Sequence, residues 1–185
     1  MKIYGIDIGL SGGISTRYNH WSMPTIDVED KPAIYINDLC NGKKQYYKSG
    51  SKKGEVKRKL KTPAKNHKEL DLFELDSIIS NHSTVVIETP GISMGNAARS
   101  TATTQRNYGK ILATLELKHC EIIKVAPMKW KKDLKLSKDK TQSVNMAEML
   151  SGNSFRTARG SLIDGQAEAF LIRHWYVIEE GIDDD

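Results

Sequence analysis

Apolar and polar residues alternate at the start of the chain, where KIYGIDI at 2–8 is also rich in β-branched side chains. This pattern predicts a β-strand. The glycine-rich GLSGG that follows predicts a tight turn, and GISTRYN predicts a returning strand, so these two strands should form a hairpin. HWSMP then indicates a third short strand, which ends at Pro24.

Beyond residue 66 the apolar residues recur at helical spacing in several segments. HKELDLFELDSIISNH at 67–82 and YGKILATLELKH at 108–119 each predict an amphipathic helix. SKDKTQSVNMAEML predicts a third helix with Ser137 as its N-cap. A last helix is predicted from about Asp164 to Glu179.

Compact apolar runs between these helices predict buried strands over 84–88 and 121–125. Residues 91–106, which are rich in Gly, Ser, Thr and Asn, predict a flexible loop. The order of elements indicates an α/β fold in which a mixed sheet is flanked by helices. At 185 residues, the chain 1–185 is long enough for a single domain with a full core.

Residues 25–66 break this pattern and predict a surface insertion after the third strand. AIYIN and KQYYK indicate short strands, and the following run is dominated by Gly, Ser, Lys and Pro. The window 43–68 contains 11 Lys or Arg residues and one acid, whereas the rest of the chain has 17 basic and 22 acidic residues. This basic segment indicates either a polyanionic partner, foremost nucleic acid, or a solvated run of charge that is mobile without a ligand.

The sequence gives no sign of secretion or membrane insertion. No apolar run approaches the roughly 20 residues of a membrane span, and Asp7 interrupts the N-terminal apolar stretch. Cys40 and Cys120 are far apart without CxxC spacing, so neither a disulfide framework nor a zinc site is indicated. A cytoplasmic location is therefore expected.

Four carboxylates lie at the edges of predicted buried elements. Asp7 ends the first strand, Glu88 ends the strand VVIE, and Asp164 and Glu168 open the last helix one turn apart. If the two strands are parallel neighbours, all four side chains should meet at one edge of the sheet. Because clustered carboxylates repel one another, the cluster predicts hard divalent cations, Mg²⁺ or Mn²⁺, as two ions that cleave a phosphodiester.

Each of these acids also has a simpler interpretation. Asp7 can accept hydrogen bonds from the amides of the turn, and Glu88 can pair with a lysine. Asp164 can cap the last helix, and Glu168 can face water.

Four motifs, GIDIGLSGG, VVIETP, VAPMKWKKDLKLSKDK and DGQAEAFLI, occur in the order found in RuvC-like Holliday junction resolvases. The chain most resembles the phage-type branch of that family, over most of its length except 25–66. The resemblance implies an RNase H-like fold, a homodimer and a Mg²⁺-dependent endodeoxyribonuclease acting on branched DNA. If the protein is phage-encoded, its place is the cytoplasm of a bacterial host.

The resemblance also implies roles for individual residues. Asp7, Glu88, Asp164 and Glu168 match the metal-binding catalytic acids, although the last pair is spaced by four residues where the bacterial pattern has three. Lys138 and Lys140 match supporting basic residues that contact phosphate or orient water, or else they form a solvated helix start. Residues expected to contact DNA, from the insertion and from the segments around the acids, are Lys43, Lys44, Lys52, Lys53, Lys57, Arg58, Lys59, Lys61, Arg99, Arg106, Lys131 and Lys132.

Other interpretations of the sequence stay open. Ile111, Leu112, Leu115 and Leu117 form an apolar face that suits either a dimer interface or burial within one chain. The nuclease interpretation includes a looser specificity for flaps, forks and other branched DNA. DIGLSGG also resembles the first phosphate loop of actin-like kinases and ATPases, and a non-catalytic DNA-binding module would have the same fold.

Overall fold

The computed structural model describes residues 2–31, 34–37, 39–40, 43–48, 51–62, 65–91 and 98–183, with the backbone alone in 29–31, 34–37, 39–40, 58–62, 65–66 and 98–100. The strands are β1 Ile3–Asp7, β2 Gly13–Ser15, β3 His20–Ser22, β4 Thr25–Lys31, β5 Ile34–Asn37, β6 Leu39–Cys40, β7 Lys43–Lys44, β8 Arg58–Thr62, β9 Lys65–Leu70, β10 Thr84–Glu88 and β11 Glu121–Val125. The helices are α1 Leu72–Ile78, α2 Ala98–Leu117, α3 Pro127–Asp133, α4 Lys140–Ser151 and α5 Asp164–Glu179.

Five strands form a mixed sheet in the order β11-β10-β1-β2-β3. Strands β1, β10 and β11 are parallel, whereas β1 pairs antiparallel with β2 and β2 antiparallel with β3. The predicted hairpin and the predicted α/β fold with a mixed sheet are thus confirmed. This arrangement is consistent with an RNase H-like fold, and the insertion follows the third strand as predicted.

Two apolar clusters cover the sheet. Alternate residues of a strand point to opposite faces, so Val86 enters one cluster while Val85 and Ile87 enter the other. The first cluster is closed by α3, α4 and α5, and the second by α1 and α2. Within the described ranges, no helix combines the length and apolarity needed to cross a bilayer.

The chain divides into two compact units, residues 1–25 with 70–185, and residues 26–69. In the second unit β5 pairs antiparallel with β8, β6 with β7, and β4 lies beside β9. A bridge between Tyr46 and Val56 continues this antiparallel pairing, and the Tyr47 amide donates to the Glu55 carbonyl at 3.0 Å. The basic segment is therefore built on β-hairpins.

Three helix starts differ from the sequence-based prediction. Helix α1 begins at Leu72 after an Asp71 cap, because the preceding residues 65–70 form strand β9. Helix α2 begins at Ala98, within the predicted loop 91–106, so its Ser and Thr residues did not stop the helix. Asp139, not Ser137, caps α4: its carboxylate accepts from the Thr141 amide, while the Ser137 hydroxyl donates to Gln142.

Most of the apolar face of α2 packs against the core of the same chain. Ile111 and Leu115 are fully buried against the sheet, and Leu112 packs against the same cluster. Leu117, by contrast, is 82% exposed. Burial within one chain therefore explains most of this face, which is no longer a candidate dimer interface as a whole.

Candidate active site

Strand register brings the first two acids to one edge of the sheet. Ile6 of β1 pairs with Ile87 of the parallel β10, so Asp7 and Glu88 follow at the carboxyl ends of neighbouring strands. Asp164 and Glu168 occupy the first and second turns of α5, which packs on β1, β2 and β10. The three elements that carry the acids are thus in direct contact.

Glycines allow α5 to approach the sheet this closely. A Cβ atom on Gly5 would overlap the Ala169 carbonyl oxygen, and a Cβ atom on Gly165 would overlap the Ser11 carbonyl oxygen. Gly165 also forms a backbone bridge with Gly12 in the turn after β1. The start of α5 is therefore fixed against the turn that follows Asp7, through contacts between backbone atoms.

The carboxyl of Asp7 has a strongly perturbed pKa. Burial, then the negative charges of Glu88 and Glu168, raise the pKa of the Asp7 carboxyl from 3.8 to about 7. The Gly9 amide, 3.5 Å from its Oδ1, and the charge of Lys131 oppose this rise in pKa. The carboxylates of Asp7, Glu88 and Glu168 are consequently close enough to affect one another electrostatically.

Glu88 is held by a tryptophan. Trp130, which is fully buried in α3, donates its indole N–H to Oε2 of Glu88 at 2.8 Å. Burial raises the pKa of Glu88, the hydrogen bond from Trp130 lowers it, and the charge of Glu168 raises it again. Trp130 therefore fixes one oxygen of this carboxylate.

Lysines contact the two acids on α5. Oε1 of Glu168 accepts from Nζ of Lys131 at 2.8 Å and from the Ser143 hydroxyl at 3.1 Å. Lys140 at the start of α4 forms an ion pair with Asp164. The hydrogen bond that Lys140 donates to Asp164 raises the pKa of the Lys140 ammonium, and the charges of Asp164, Glu168 and Asp7 raise it further. Burial has the opposite effect on this pKa. The charge of Lys131 also acts on Asp7 and Glu88, so each of the four acids interacts with at least one of the two lysines.

Several simpler interpretations of the acids do not match this geometry. The N-cap of α5 is Ile163, without a side-chain hydrogen bond to the helix, so Asp164 is not a cap. Glu88 bonds to an indole and not to a lysine. The side chain of Glu168 is only 13% exposed, so it does not simply face water. Asp7 does accept from a turn amide, at the long distance of 3.5 Å.

The donor set suits a hard divalent cation, because it consists of carboxylate oxygens that repel one another. A cation would lower the raised pKa of Asp7 and replace the lysine charges. Among the residues that the structure describes, no three His, Cys, Asp or Glu side chains are grouped as ligands of one ion. The ammonium groups of Lys131 and Lys140 are bonded to oxygens that such an ion would use.

The sequence pattern did not reveal every residue of this cluster. Trp130 and Ser143 were missed, and Lys131 was expected to contact DNA but bonds to Glu168. The WKK motif around Trp130 was the available signal, and only tertiary contacts show what it does. Lys138 is exposed and stays a prediction as a supporting residue.

The predicted DNA contacts are spread over both units of the chain. In the second unit Lys43, Lys44, Lys52 and Lys53 are exposed, and Nζ of Lys57 lies 5.7 Å from the ring centroid of Tyr47. Arg106 and Lys132 are exposed in the first unit. The side chains outside the described part of the structure are those of Arg58, Lys59, Lys61 and Arg99.

Comparison with known proteins gives structural neighbours only. No protein-family profile matches the chain, and no curated protein matches it. The structure of Thermus thermophilus RuvC aligns over 97% of both chains, with a TM-score of 0.48 and 14% sequence identity. T. thermophilus RuvC in complex with Holliday junction substrate aligns over 98% of this chain and 97% of that one, with a TM-score of 0.49 and 12% identity. At these values the likeness assigns neither a family nor an activity to this chain.

Proposed function

We propose that the protein is a Mg²⁺-dependent endonuclease that cleaves Holliday junctions and related branched DNA. The observation that supports this most is the mutual charge interaction of Asp7, Glu88 and Glu168, brought together from two parallel strands and a helix. Mn²⁺ is expected to replace Mg²⁺ because both take carboxylate oxygens. The motif order favours the phage-type branch of RuvC-like resolvases, whose members act as homodimers.

Asp7, Glu88, Asp164 and Glu168 would together hold two ions. When bound, such ions activate a water and stabilise the leaving oxygen in phosphodiester hydrolysis. Trp130 keeps Glu88 in place through its indole hydrogen bond, and burial of Asp7 strengthens its interaction with any cation. Asp164 and Glu168, one turn apart on α5, would complete the ligand set.

Lys131 and Lys140 balance the charge of the site without metal. Cations held by these carboxylates would replace both ammonium groups as partners of Glu168 and Asp164. Lys140 is 64% exposed in its side chain and can reach a DNA phosphate, with Lys138 two residues before it. Lys140 would thus exchange its carboxylate partner for a phosphate when DNA binds.

The test of this function is a cleavage panel. Synthetic four-way, three-way and flap DNA and linear duplex are incubated with the protein in Mg²⁺, in Mn²⁺ and in EDTA. We expect cleavage of the four-way junction in either metal and none in EDTA. Equal cleavage of flaps and junctions would favour the looser branched-DNA nuclease, and ATP hydrolysis without DNA would favour an actin-like ATPase.

The two acids of α5 should both be needed for cleavage. Replacing Asp164 with Asn, or Glu168 with Gln, removes one charged ligand while the side-chain volume stays nearly constant. Each variant should lose roughly 100-fold or more in the single-turnover cleavage rate. Glu179→Gln, an exposed acid at the end of the same helix, is the control and should cleave normally. A wild-type rate for either variant would remove that acid from the ligand set.

The hairpins of the second unit should supply affinity for DNA. Replacing Lys43, Lys44, Lys52 and Lys53 by Gln removes four exposed charges, so junction affinity should fall roughly 100-fold. The slope of log K against log salt should also fall, by about 2 to 4. Fluorescence anisotropy at several salt concentrations measures both, and the matching quadruple Arg variant is the control. Unchanged affinity and slope in the Gln variant would show that this segment does not bind DNA.

A further inference from the structure

A cavity lies in the first unit, away from the carboxylate cluster. It has a volume of about 490 Å³ and is lined at the start of β1 by Lys2 and Ile3, whereas Asp7 ends that strand. A five-residue strand is roughly 13 Å long from its first to its last residue. On α5 the cavity is bordered by Arg173, more than two turns beyond Asp164. The cavity is therefore at the opposite end of the sheet from the candidate active site.

The walls of this cavity are positively charged. Among the described residues, its charged lining consists of Lys2, Arg17 and Arg173 and of one acid, Asp183. Arg173 is only 4% exposed, and its Nε donates to the Ile3 carbonyl at 3.1 Å, which fixes the guanidinium in place. Burial lowers the pKa of the His20 imidazole, and the positive charge of Arg173 lowers it further. Cations around a concave surface concentrate the field and attract an anion.

Aromatic side chains stand beside these cations. Tyr18 is 71% exposed, and the guanidinium of Arg17 lies 5.0 Å from its ring centroid. Trp21, on β3, lines the same cavity and is partly buried. Exposed aromatic rings next to a cationic group offer a surface on which a nucleobase can stack. The volume also falls within the range of small-ligand pockets.

We propose that this cavity binds a nucleotide, with its phosphate near Lys2, Arg17 and Arg173 and its base against Tyr18 and Trp21. The combination of charge and aromatic rings selects this ligand class, because a bare anion needs no stacking surface and an apolar ligand needs no cations. The nucleotide is either free in solution or part of a DNA strand, and the chemistry of recognition is the same for both. The proposal does not depend on nuclease activity.

Calorimetric titration of the 185-residue chain with dAMP tests the site directly. Wild-type protein should bind dAMP, and the Lys2→Ala, Arg17→Ala double variant should bind it at least 10-fold more weakly. Arg159→Ala, which removes an exposed arginine outside the cavity, is the matched control and should bind within twofold of wild type. Arg173 is left intact because it supports the start of β1. A thermal melt of each variant verifies that it is folded.

Tyr18→Ala separates a nucleotide site from a simple anion site. It should weaken dAMP binding and leave the binding of inorganic phosphate unchanged. If phosphate alone binds as tightly as dAMP and Tyr18→Ala has no effect, the nucleotide assignment is wrong.

Junction DNA separates the two sources of the nucleotide. If the ligand is part of a DNA strand, the double variant should bind a four-way junction more weakly in EDTA, and dAMP should compete. If the ligand is free, junction affinity should be unchanged while dAMP binding is lost. No dAMP binding by wild type together with unchanged junction affinity in the double variant would overturn the proposal. At protein concentrations that saturate the junction, the double variant should cleave at the wild-type rate, because neither of its changes touches the carboxylate cluster.

Discussion

Replacing Glu88 with Gln should abolish Mg²⁺-dependent cleavage of a four-way junction while the protein still binds it. The amide cannot serve as a charged ligand at the centre of the cluster, so the single-turnover rate should fall by roughly a thousandfold or more. The Gln carbonyl can still accept the hydrogen bond that Trp130 donates to Glu88, so the local structure should persist. Gel-based cleavage assays and anisotropy on one junction measure the two properties separately.

Glu116→Gln is the matched control, since Glu116 is an exposed acid on α2 and the chemical change is the same. It should cleave and bind as wild type does. Cleavage by Glu88→Gln at a rate near that of wild type would show that this carboxylate is not a metal ligand. Loss of junction binding together with cleavage would instead indicate that Glu88 is needed for the fold.

Replacing Asp7 with Asn should stabilise the metal-free protein and abolish cleavage. The pKa of Asp7 is about 7 in the folded chain, against 3.8 for an unperturbed aspartate. The folded state therefore binds more protons than the unfolded state between about pH 4 and pH 7, and the free energy of unfolding falls as pH rises through this window. Above it, the ionised carboxylate costs the folded state up to roughly 4 kcal/mol. Asn carries no charge and avoids this cost.

Thermal melts in EDTA test the effect on stability. At pH 8 the Tm of Asp7→Asn should exceed that of wild type by roughly 5 °C or more, and the difference should shrink towards pH 4. Adding Mg²⁺ at pH 8 should raise the Tm of wild type and have much less effect on the variant. A variant that is less stable than wild type at pH 8 would show that Asp7 does not carry this electrostatic strain.

The backbone elements that hold the acids were largely predictable from sequence. Strands β1 and β10 and helix α5 were all predicted, from the alternation in 2–8, the apolar run ending at Glu88 and the helix starting at Asp164. In these segments the local pattern of apolar residues favours the same element that burial in the fold requires. The start of α2 was missed because its Ser, Thr and Asn residues have modest helix propensity. The prediction for α1 included residues of β9, because the spacing of Leu70 from the apolar residues that follow fits a helix and a strand equally well.

The contacts that complete the site could not be predicted in this way. Trp130 lies 42 residues from Glu88 in sequence, and Lys131 lies 37 residues from Glu168. No periodic pattern relates such distant positions, and both side chains have common structural roles elsewhere. The cationic cavity is even less accessible from sequence, because its charged residues belong to separated segments of the chain.

The glycines between α5 and the sheet limit which substitutions the site tolerates. At Gly5 and Gly165 the limiting contacts are with backbone oxygens, which cannot move aside as a flexible side chain can. A single added methyl group at either position would shift α5, and with it Asp164 and Glu168, relative to Asp7. The apolar residues around α5 can be exchanged for others of similar volume without that effect. The distance of Asp164 and Glu168 from Asp7 is thus set by two positions that carry no functional group.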